Sequence, residues 1–369
     1  MKNKVKTLGC LLMCASLLVI GGCKDDTESK KGETLKAVNE NDYASYMPYQ
    51  PSDAAQKHAS VSTDLTQTFN IGNQLMELSK EHFSPDTYTF RESEYLDYDT
   101  LDAYSGGSGL LGRFNKENNP YGMNPVVGTA FPTEDGGEVK IDSTDVLLLD
   151  IYEFDWYKGD EIKGISLAFV LNDKIGDAIN PSTVKKEKLQ IYAEETARKT
   201  VEYLRKKVPA VGQNLPIYVA LYNTSSTDET LPGSFFSDVY YKSKVDGTFQ
   251  SINEQWVLFP TEAATTLDGT TATSFSRFKA AFKDKMPYDV AIVGKGHYLN
   301  NAIDKLEITV TLHARSSGEV KSAIQMINDK LSLFATNFEI TVDISSDTTH
   351  AAVIKREKGS SSTTVITLV

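Results

Sequence analysis

The chain has 369 residues, of which 40% are hydrophobic, and a formal charge of −12. This length is enough for two domains with packed cores. The acidic balance excludes electrostatic binding of nucleic acids and anionic polymers, because their phosphates would be repelled. Residues 1–22 carry three lysines and no acid, so the remainder has a formal charge of −15.

The amino-terminal segment predicts an exported protein. Lysines precede the apolar run Leu8–Ile20, which is followed by two glycines and Cys23. A run of this length is typical of a secretory signal peptide, since a spanning helix needs about 20 apolar residues. Cys10 and Cys14 leave with that peptide, so the mature chain keeps one cysteine and cannot form a disulfide framework or a cysteine-ligated zinc site.

The pattern Ile20-Gly21-Gly22-Cys23 resembles the lipobox of bacterial lipoproteins. The resemblance implies cleavage by signal peptidase before Cys23 and a diacylglyceryl group on its thiol. We therefore expect a lipid anchor at the extracellular face of the cell membrane. Apart from this covalent lipid we expect no cofactor, no metal and no nucleic-acid partner. An ordinary signal peptide with a chance cysteine is the alternative.

The next two regions differ in composition. Residues 23–55 are rich in charged and small polar side chains, which predicts a flexible, solvated tether. Residues 56–142 are predicted to be helical and irregular, with a helix over Leu65–Glu81 and an irregular stretch from Ser84 to Gly137. Neither region shows the strand pattern that follows.

The remaining chain contains an internal repeat, which predicts two related domains at 143–262 and 287–369, joined by a linker and short helix at 263–286. In each copy an alternating strand precedes a helix, and a second alternating strand follows it. In the first copy the strand, the helix and the second strand are Ile165–Leu171, Leu189–Val208 and Ile217–Leu221. In the second copy they are Leu306–Leu312, Val320–Phe334 and Ile340–Ile344.

Each copy is predicted to have the element order β-β-α-β-β-β. The final hairpins are predicted from Asp238–Ser243 with Gln255–Phe259, and from Ala351–Glu357 with Thr363–Leu368. Ser316 and Glu319 have capping-box spacing at the start of the second helix. The predicted fold class is α+β, with two tandem domains that each lay one helix on a largely antiparallel sheet.

The sequence offers little catalytic chemistry. It lacks a GxSxG elbow, and its five histidines show no HExxH spacing. Acidic residues flank the first strand pair, namely Asp150, Glu153, Asp155, Asp160 and Glu161. We interpret them as a solvated acidic face and expect no enzyme. A wall-acting hydrolase, with two of these carboxylates in a cleft, is an alternative.

Aromatic residues near the strand turns are the weak candidates for binding. They are Trp156, Tyr157, Tyr240, Tyr241 and Trp256. Exposed aromatic rings recognise glycans, peptides or other envelope proteins. Core packing is the favoured interpretation.

Three segments and the lipobox together resemble the CamS sex-pheromone lipoprotein family of Gram-positive bacteria. The segments are Gly164–Asn172, Leu215–Tyr222 and Leu231-Pro232-Gly233. The resemblance implies that a membrane protease releases a short apolar pheromone from the leader and that a receptor binds it. In this sequence the peptide is Ser16, Leu17, Leu18, Val19, Ile20, Gly21 and Gly22. The alternative is an envelope lipoprotein that binds a ligand, peptide or glycan and has no pheromone activity.

Overall fold

The computed structural model describes residues 33–39, 41–56, 65–102, 109–283 and 285–369. The strands are β1 (Glu33–Leu35), β2 (Ala44–Met47), β3 (Thr89–Glu92), β4 (Ala130–Pro132), β5 (Glu138–Lys140), β6 (Leu148–Lys158), β7 (Glu161–Leu171), β8 (Lys174–Ile175), β9 (Ser182–Thr183), β10 (Ile217–Asn223), β11 (Ser234–Tyr241), β12 (Gln250–Ser251), β13 (Glu254–Phe259), β14 (Ala291–Leu299), β15 (Ala302–Leu312), β16 (Glu339–Ser346), β17 (Thr349–Arg356) and β18 (Thr364–Thr367). The helices are α1 (Leu65–Ser79), α2 (Tyr98–Asp102), α3 (Lys186–Lys207), α4 (Glu262–Leu267), α5 (Gly269–Ala280) and α6 (Ser317–Lys330).

Two sheets organise the chain. The first has eight strands in the order β1-β2-β3-β6-β7-β10-β11-β12, and the second has six in the order β13-β14-β15-β16-β17-β18. In each sheet one central pair is parallel, β7 with β10 and β15 with β16, and a helix makes the crossover between its strands. The predicted fold class is confirmed: the protein is α+β, with two tandem β-β-α-β-β-β units.

The local signals of the second repeat are also confirmed. The Ser316 hydroxyl accepts a hydrogen bond from the Glu319 N–H at 3.3 Å, so it caps α6 as its spacing predicts. β17 and β18 form the expected hairpin, with Val353 opposite Ile366.

The last hairpin predicted for the first repeat is wrong. The strand that contains Gln255 is β13, and it pairs with β14 of the second sheet, where Trp256 lies opposite His297. β11 pairs instead with the two-residue β12. The alternation of β13 fits the edge of either sheet, and Phe259 decides between them because its ring packs on Phe275 of the second core.

The predicted tether and the predicted linker both contain ordered elements of the fold, and the short helix expected in the linker is α5. In the predicted linker, Thr261 and Asp268 cap α4 and α5, because their side chains accept the N–H groups of Ala264 and Thr271. In the predicted tether, β1 and β2 extend the first sheet, and Tyr43 is buried. Its hydroxyl donates to the Phe83 carbonyl at 2.6 Å, so one aromatic anchor holds a segment of otherwise polar composition.

Candidate functional site

A groove on the first repeat is lined largely by apolar and aromatic side chains, several of them exposed to solvent. It lies between α3 and the segment 110–131 and has a volume of about 530 Å³. We call it the aromatic groove. Its walls are apolar and aromatic side chains, mainly Phe114, Tyr121, Met123, Phe131, Tyr192 and Tyr203.

Two buried asparagines hold the loop side of the aromatic groove in place. The Asn124 amide donates to the carbonyls of Leu111 and Leu148 at 2.8 and 2.9 Å. Its oxygen accepts the N–H groups of Leu147 and Leu148 at 2.9 and 3.0 Å. Asn119 donates to the carbonyl of Gly109 at 2.9 Å. These bonds replace secondary structure as partners for the backbone of this segment.

Arg113 also holds this loop, and we call its hydrogen bonds together with those of Asn119 and Asn124 the loop brace. Its guanidinium donates to the carbonyls of Pro125, Asp142 and Ser143 at 2.9 to 3.1 Å and of Asp145 at 2.5 Å. Charge-assisted hydrogen bonds of this kind are stronger than neutral ones. Gly122 lies so close that a β-carbon there would be 2.4 Å from the Arg113 carbonyl oxygen, so the turn needs glycine.

Ring contacts join this loop to α3. The Tyr192 hydroxyl donates to the Met123 carbonyl at 3.1 Å, and the rings of Tyr121 and Tyr203 meet edge to face at 5.1 Å. Phe114, Tyr121 and Val126 still expose 48%, 37% and 46% of their surface. Exposed apolar side chains on a rigidly braced loop are typical of a binding surface.

The rim of the aromatic groove carries balanced charges. Glu195, Lys199, Glu202 and Lys206 line it at successive turns of α3. Glu195 and Lys199 form an exposed ion pair at 2.7 Å. Pairs of this kind contribute little to stability and open readily.

A second concavity lies between the two sheets. It has a volume of about 570 Å³, and α1 faces the second sheet across it. We call it the inter-sheet cleft. Glu254 links its walls, since one carboxylate oxygen lies 2.7 Å from His297 Nε2 and the other accepts the Phe235 N–H of the first sheet at 2.5 Å. Lys295 adds a second bridge, donating to the Thr230 carbonyl at 2.6 Å.

His297 is the titratable centre of the inter-sheet cleft. Its Nδ1 lies 3.6 Å from Asp304, which also pairs with Lys358 at 3.0 Å. Burial acts to lower the pKa of His297, but Asp304 and Glu254 outweigh it, and the pKa is raised. Contact with His297 lowers the pKa of Asp304. The charges around His297 are therefore paired with one another.

The predicted solvated acidic face is wrong for two of its members. Glu153 and Asp155 are buried, and they accept the backbone N–H groups of Leu96 and Glu94 at 2.7 and 3.0 Å. Burial raises the pKa of Glu153 to about 7, and burial together with Glu153 raises the pKa of Asp155. The segment after β3 covers both carboxyls, so the pair is a structural contact enclosed away from solvent.

The comparisons with known proteins decide the family. A sequence model described as the CamS sex pheromone cAM373 precursor matches residues 49–362. The chain belongs to the CamS family. No curated protein matches it significantly.

Two solved structures share the CamS fold seen here. The crystal structure of a sex pheromone precursor from Lactobacillus salivarius is 23% identical, with a TM-score of 0.78, and the match covers 92% of this chain and 99% of that one. The C-terminal domain of the sex pheromone staph-cAM373 precursor from Staphylococcus aureus is 21% identical, with a TM-score of 0.64 over 81% of this chain and 96% of that one. At these identities the likeness establishes the fold alone.

The structure places the five aromatic residues that the sequence offered as weak binding candidates in the packed interior. Trp156, Tyr157, Tyr241 and Trp256 are buried, and Tyr240 is half-buried and stacks on His82 at 4.0 Å. Core packing, the favoured interpretation, accounts for them, and they do not line the aromatic groove. Cys23 and the peptide Ser16–Gly22 lie outside the described residues.

The residues that build the aromatic groove were missed by sequence reasoning. They lie in a stretch rich in Gly, Asn and Pro, a composition typical of loops. The one available signal was the aromatic and apolar content of Phe114–Val127 within that stretch. In the described ranges, no cluster of three His, Cys, Asp or Glu side chains forms a metal site, and no described helix is long and apolar enough to cross a membrane.

Proposed function

We propose that the chain is a lipoprotein precursor whose two parts have different fates. Residues 1–22 yield the short apolar peptide Ser16–Gly22, and the body is anchored through a diacylglyceryl group on Cys23 to the extracellular face of the membrane. The observation that carries the proposal is the position of Cys23, directly after Ile20-Gly21-Gly22, in a chain that belongs to a pheromone-precursor family.

The chemistry of the leader supports this division. Leu17–Ile20 are four consecutive branched aliphatic residues, and the peptide has no charged side chain. Such side chains fit the pockets of a receptor that binds an extended peptide. Signal peptidase and a membrane protease would make the two cuts that release it.

Charge supports a lipid anchor for the body. The part of the chain after residue 22 has a formal charge of −15, so anionic headgroups repel it. Two acyl chains supply ample transfer energy, at about 0.8 kcal/mol per buried methylene. Attachment through Cys23 therefore needs no basic patch.

For the body we propose a binding role without catalysis. The aromatic groove supports binding, because its loop wall is braced and its apolar side chains are open to solvent. The enclosure of Glu153 and Asp155 argues against a hydrolase that uses this pair. The same groove also favours the second candidate function, an envelope lipoprotein that binds a ligand without any pheromone activity.

The proposal is tested by following both parts of the precursor in cells. Cells fed an alkyne fatty acid should label the wild-type chain, and their supernatant should contain Ser-Leu-Leu-Val-Ile-Gly-Gly by mass spectrometry. Cys23→Ser should abolish the labelling. Cys14→Ser, a cysteine change inside the leader, is the matched control and should leave labelling and release intact. An unlabelled wild-type chain that keeps residues 1–22 in the cytosol would overturn the proposal.

A further inference from the structure

We infer that the aromatic groove binds the heptapeptide Ser16–Gly22 released from the protein's own leader. The inference rests on the proposed function, because it needs that peptide to be released. It would make the anchored body a binder of the signal that its own precursor yields.

The aromatic groove is built before any ligand arrives. Its loop wall is held by the side chains of Asn124 and Arg113. Its helix wall belongs to α3, which has 22 residues and packs on the first core. A preformed groove binds tightly because little ordering remains for the bound state.

The length of the aromatic groove matches the peptide. The lining residues of α3 run from Tyr192 to Lys206, a distance of about 21 Å at about 1.5 Å per residue. A seven-residue extended peptide spans about 23 Å at about 3.3 Å per residue. The peptide can therefore lie along the groove for its whole length.

The chemistry of the two partners is complementary. Leu17–Ile20 offer aliphatic side chains, and the floor formed by Met123, Phe131 and Tyr192 is apolar and aromatic. The free peptide has one ammonium and one carboxylate group, at its two ends. The rim has carboxylates at Glu195 and Glu202 and ammonium groups at Lys199 and Lys206, so each end of the peptide finds an opposite charge.

The same walls disfavour strongly polar ligands. A sugar needs several convergent hydrogen-bonding groups, but the amide of Asn124 is used by four backbone partners. The Tyr192 hydroxyl already donates to the Met123 carbonyl. A polyanion would meet Glu195 and Glu202 on the rim.

The anchor would also bring peptide and groove together. Nine residues lie between Cys23 and β1, and an extended chain covers at most about 3.6 Å per residue. The start of β1 therefore stays within roughly 35 Å of the lipid that holds Cys23. The anchored body therefore stands at the membrane face where the peptide is released.

The test is calorimetric titration of the unlabelled synthetic heptapeptide into the mature chain, residues 23–369 with Cys23→Ser. We expect saturable one-to-one binding, weakened at least tenfold by Phe114→Ala and by Val126→Ser. Phe69→Ala is the matched control, because Phe69 is an exposed aromatic residue on α1, away from the groove. It should change the affinity less than twofold. A peptide with lysine in place of Val19 should bind at least tenfold more weakly.

Several results would overturn the inference. They are no binding up to the solubility of the peptide, equal binding by wild type and Phe114→Ala, equal binding of a scrambled peptide, and saturation of the groove by a free fatty acid that the heptapeptide cannot displace. Mass spectrometry of the supernatant separates the two proposals. If the peptide is released but does not bind, this inference fails alone; if it is never released, the proposed function fails.

Discussion

The two repeats share one topology but differ in how many faces of the sheet they bury. In β10 of the first repeat six of seven residues are buried, so side chains on both faces are covered. In the equivalent strand β16, buried Ile340, Val342 and Ile344 alternate with more exposed residues. The first sheet lies between α3 and a layer formed by α1 with Tyr43 and Phe83, whereas the second presents one face to solvent.

The difference shows what the amino-terminal region adds to the fold. On its added face Trp156 packs between Tyr43 and Phe83, with centroid distances of 4.3 and 5.6 Å, and donates to Ser166 at 2.7 Å. A β-carbon at Gly164 would lie 2.1 Å from the Phe83 ring, so glycine lets that ring reach the sheet. The amino-terminal region therefore encloses the face of the first sheet opposite α3.

The largest expected effect comes from matched positions on the second face of each sheet. Tyr218 and Thr341 are equivalent, because each follows the isoleucine that pairs with the preceding parallel strand. Tyr218→Ala should cost about 3–5 kcal/mol, since the ring is fully buried and its hydroxyl donates to Asp238 at 2.8 Å. Thr341→Ala should stay within about 0.5 kcal/mol. Equal losses of unfolding free energy in the two variants, measured by urea denaturation, would contradict this difference between the two sheets.

The next effect tests the loop brace, which has no counterpart in the second repeat. Asn124→Ala should cost about 2–3 kcal/mol, because buried backbone groups lose their partners. Hydrogen exchange of residues 110–129 should rise at the same time. Asn118→Ala, at an exposed position of the same loop, is the control and should change neither measurement. Unchanged exchange in Asn124→Ala would mean that the brace does not hold the groove.

The first sheet should also show its own pH dependence. Folding raises the pKa of Glu153 from 4.5 to about 7, so the folded chain keeps a proton that the unfolded chain loses in this window. Stability should therefore fall as pH rises from 4.5 through about 7, by an amount on the order of 2 kcal/mol. Glu153→Gln should make the dependence of the melting temperature on pH less steep across this range, and part of the remaining slope belongs to Asp155, whose pKa burial also raises. A slope as steep as that of the wild type in this variant would contradict the assignment.

The second sheet should show a smaller loss of stability with rising pH. The raised pKa of His297 gives stability that is complete below its ordinary value of 6.5 and is lost as pH rises through the folded value. We expect a smaller change than for Glu153, because burial of the ring opposes the effect of the two carboxylates. His297→Gln should remove it, whereas His350→Gln, at an exposed histidine of the same sheet, should not. Loss of the slope in both variants would place its origin elsewhere in the chain.

Much of the fold was predictable because its signals are local. The strand period of Leu306–Leu312 and the cap at Ser316 depend on neighbours within a few residues, and both are observed. The partner of β13 was not predictable, because an alternating strand can pair with any compatible edge. The aromatic groove was missed for a related reason, since the bonds of Asn124 reach residues 24 positions away.

The sequence by itself determined the repeat, the fold class and the position of Cys23 after an apolar segment, because each of these is a contiguous pattern of residues. Only the tertiary structure decided which acids are enclosed, which strand joins the second sheet and which loop is rigid. Burial and strand pairing depend on side chains far apart along the chain. From composition alone we expected Glu153 to be solvated and the loop around Tyr121 to be irregular. In the structure, packing buries Glu153, and hydrogen bonds hold the loop in place.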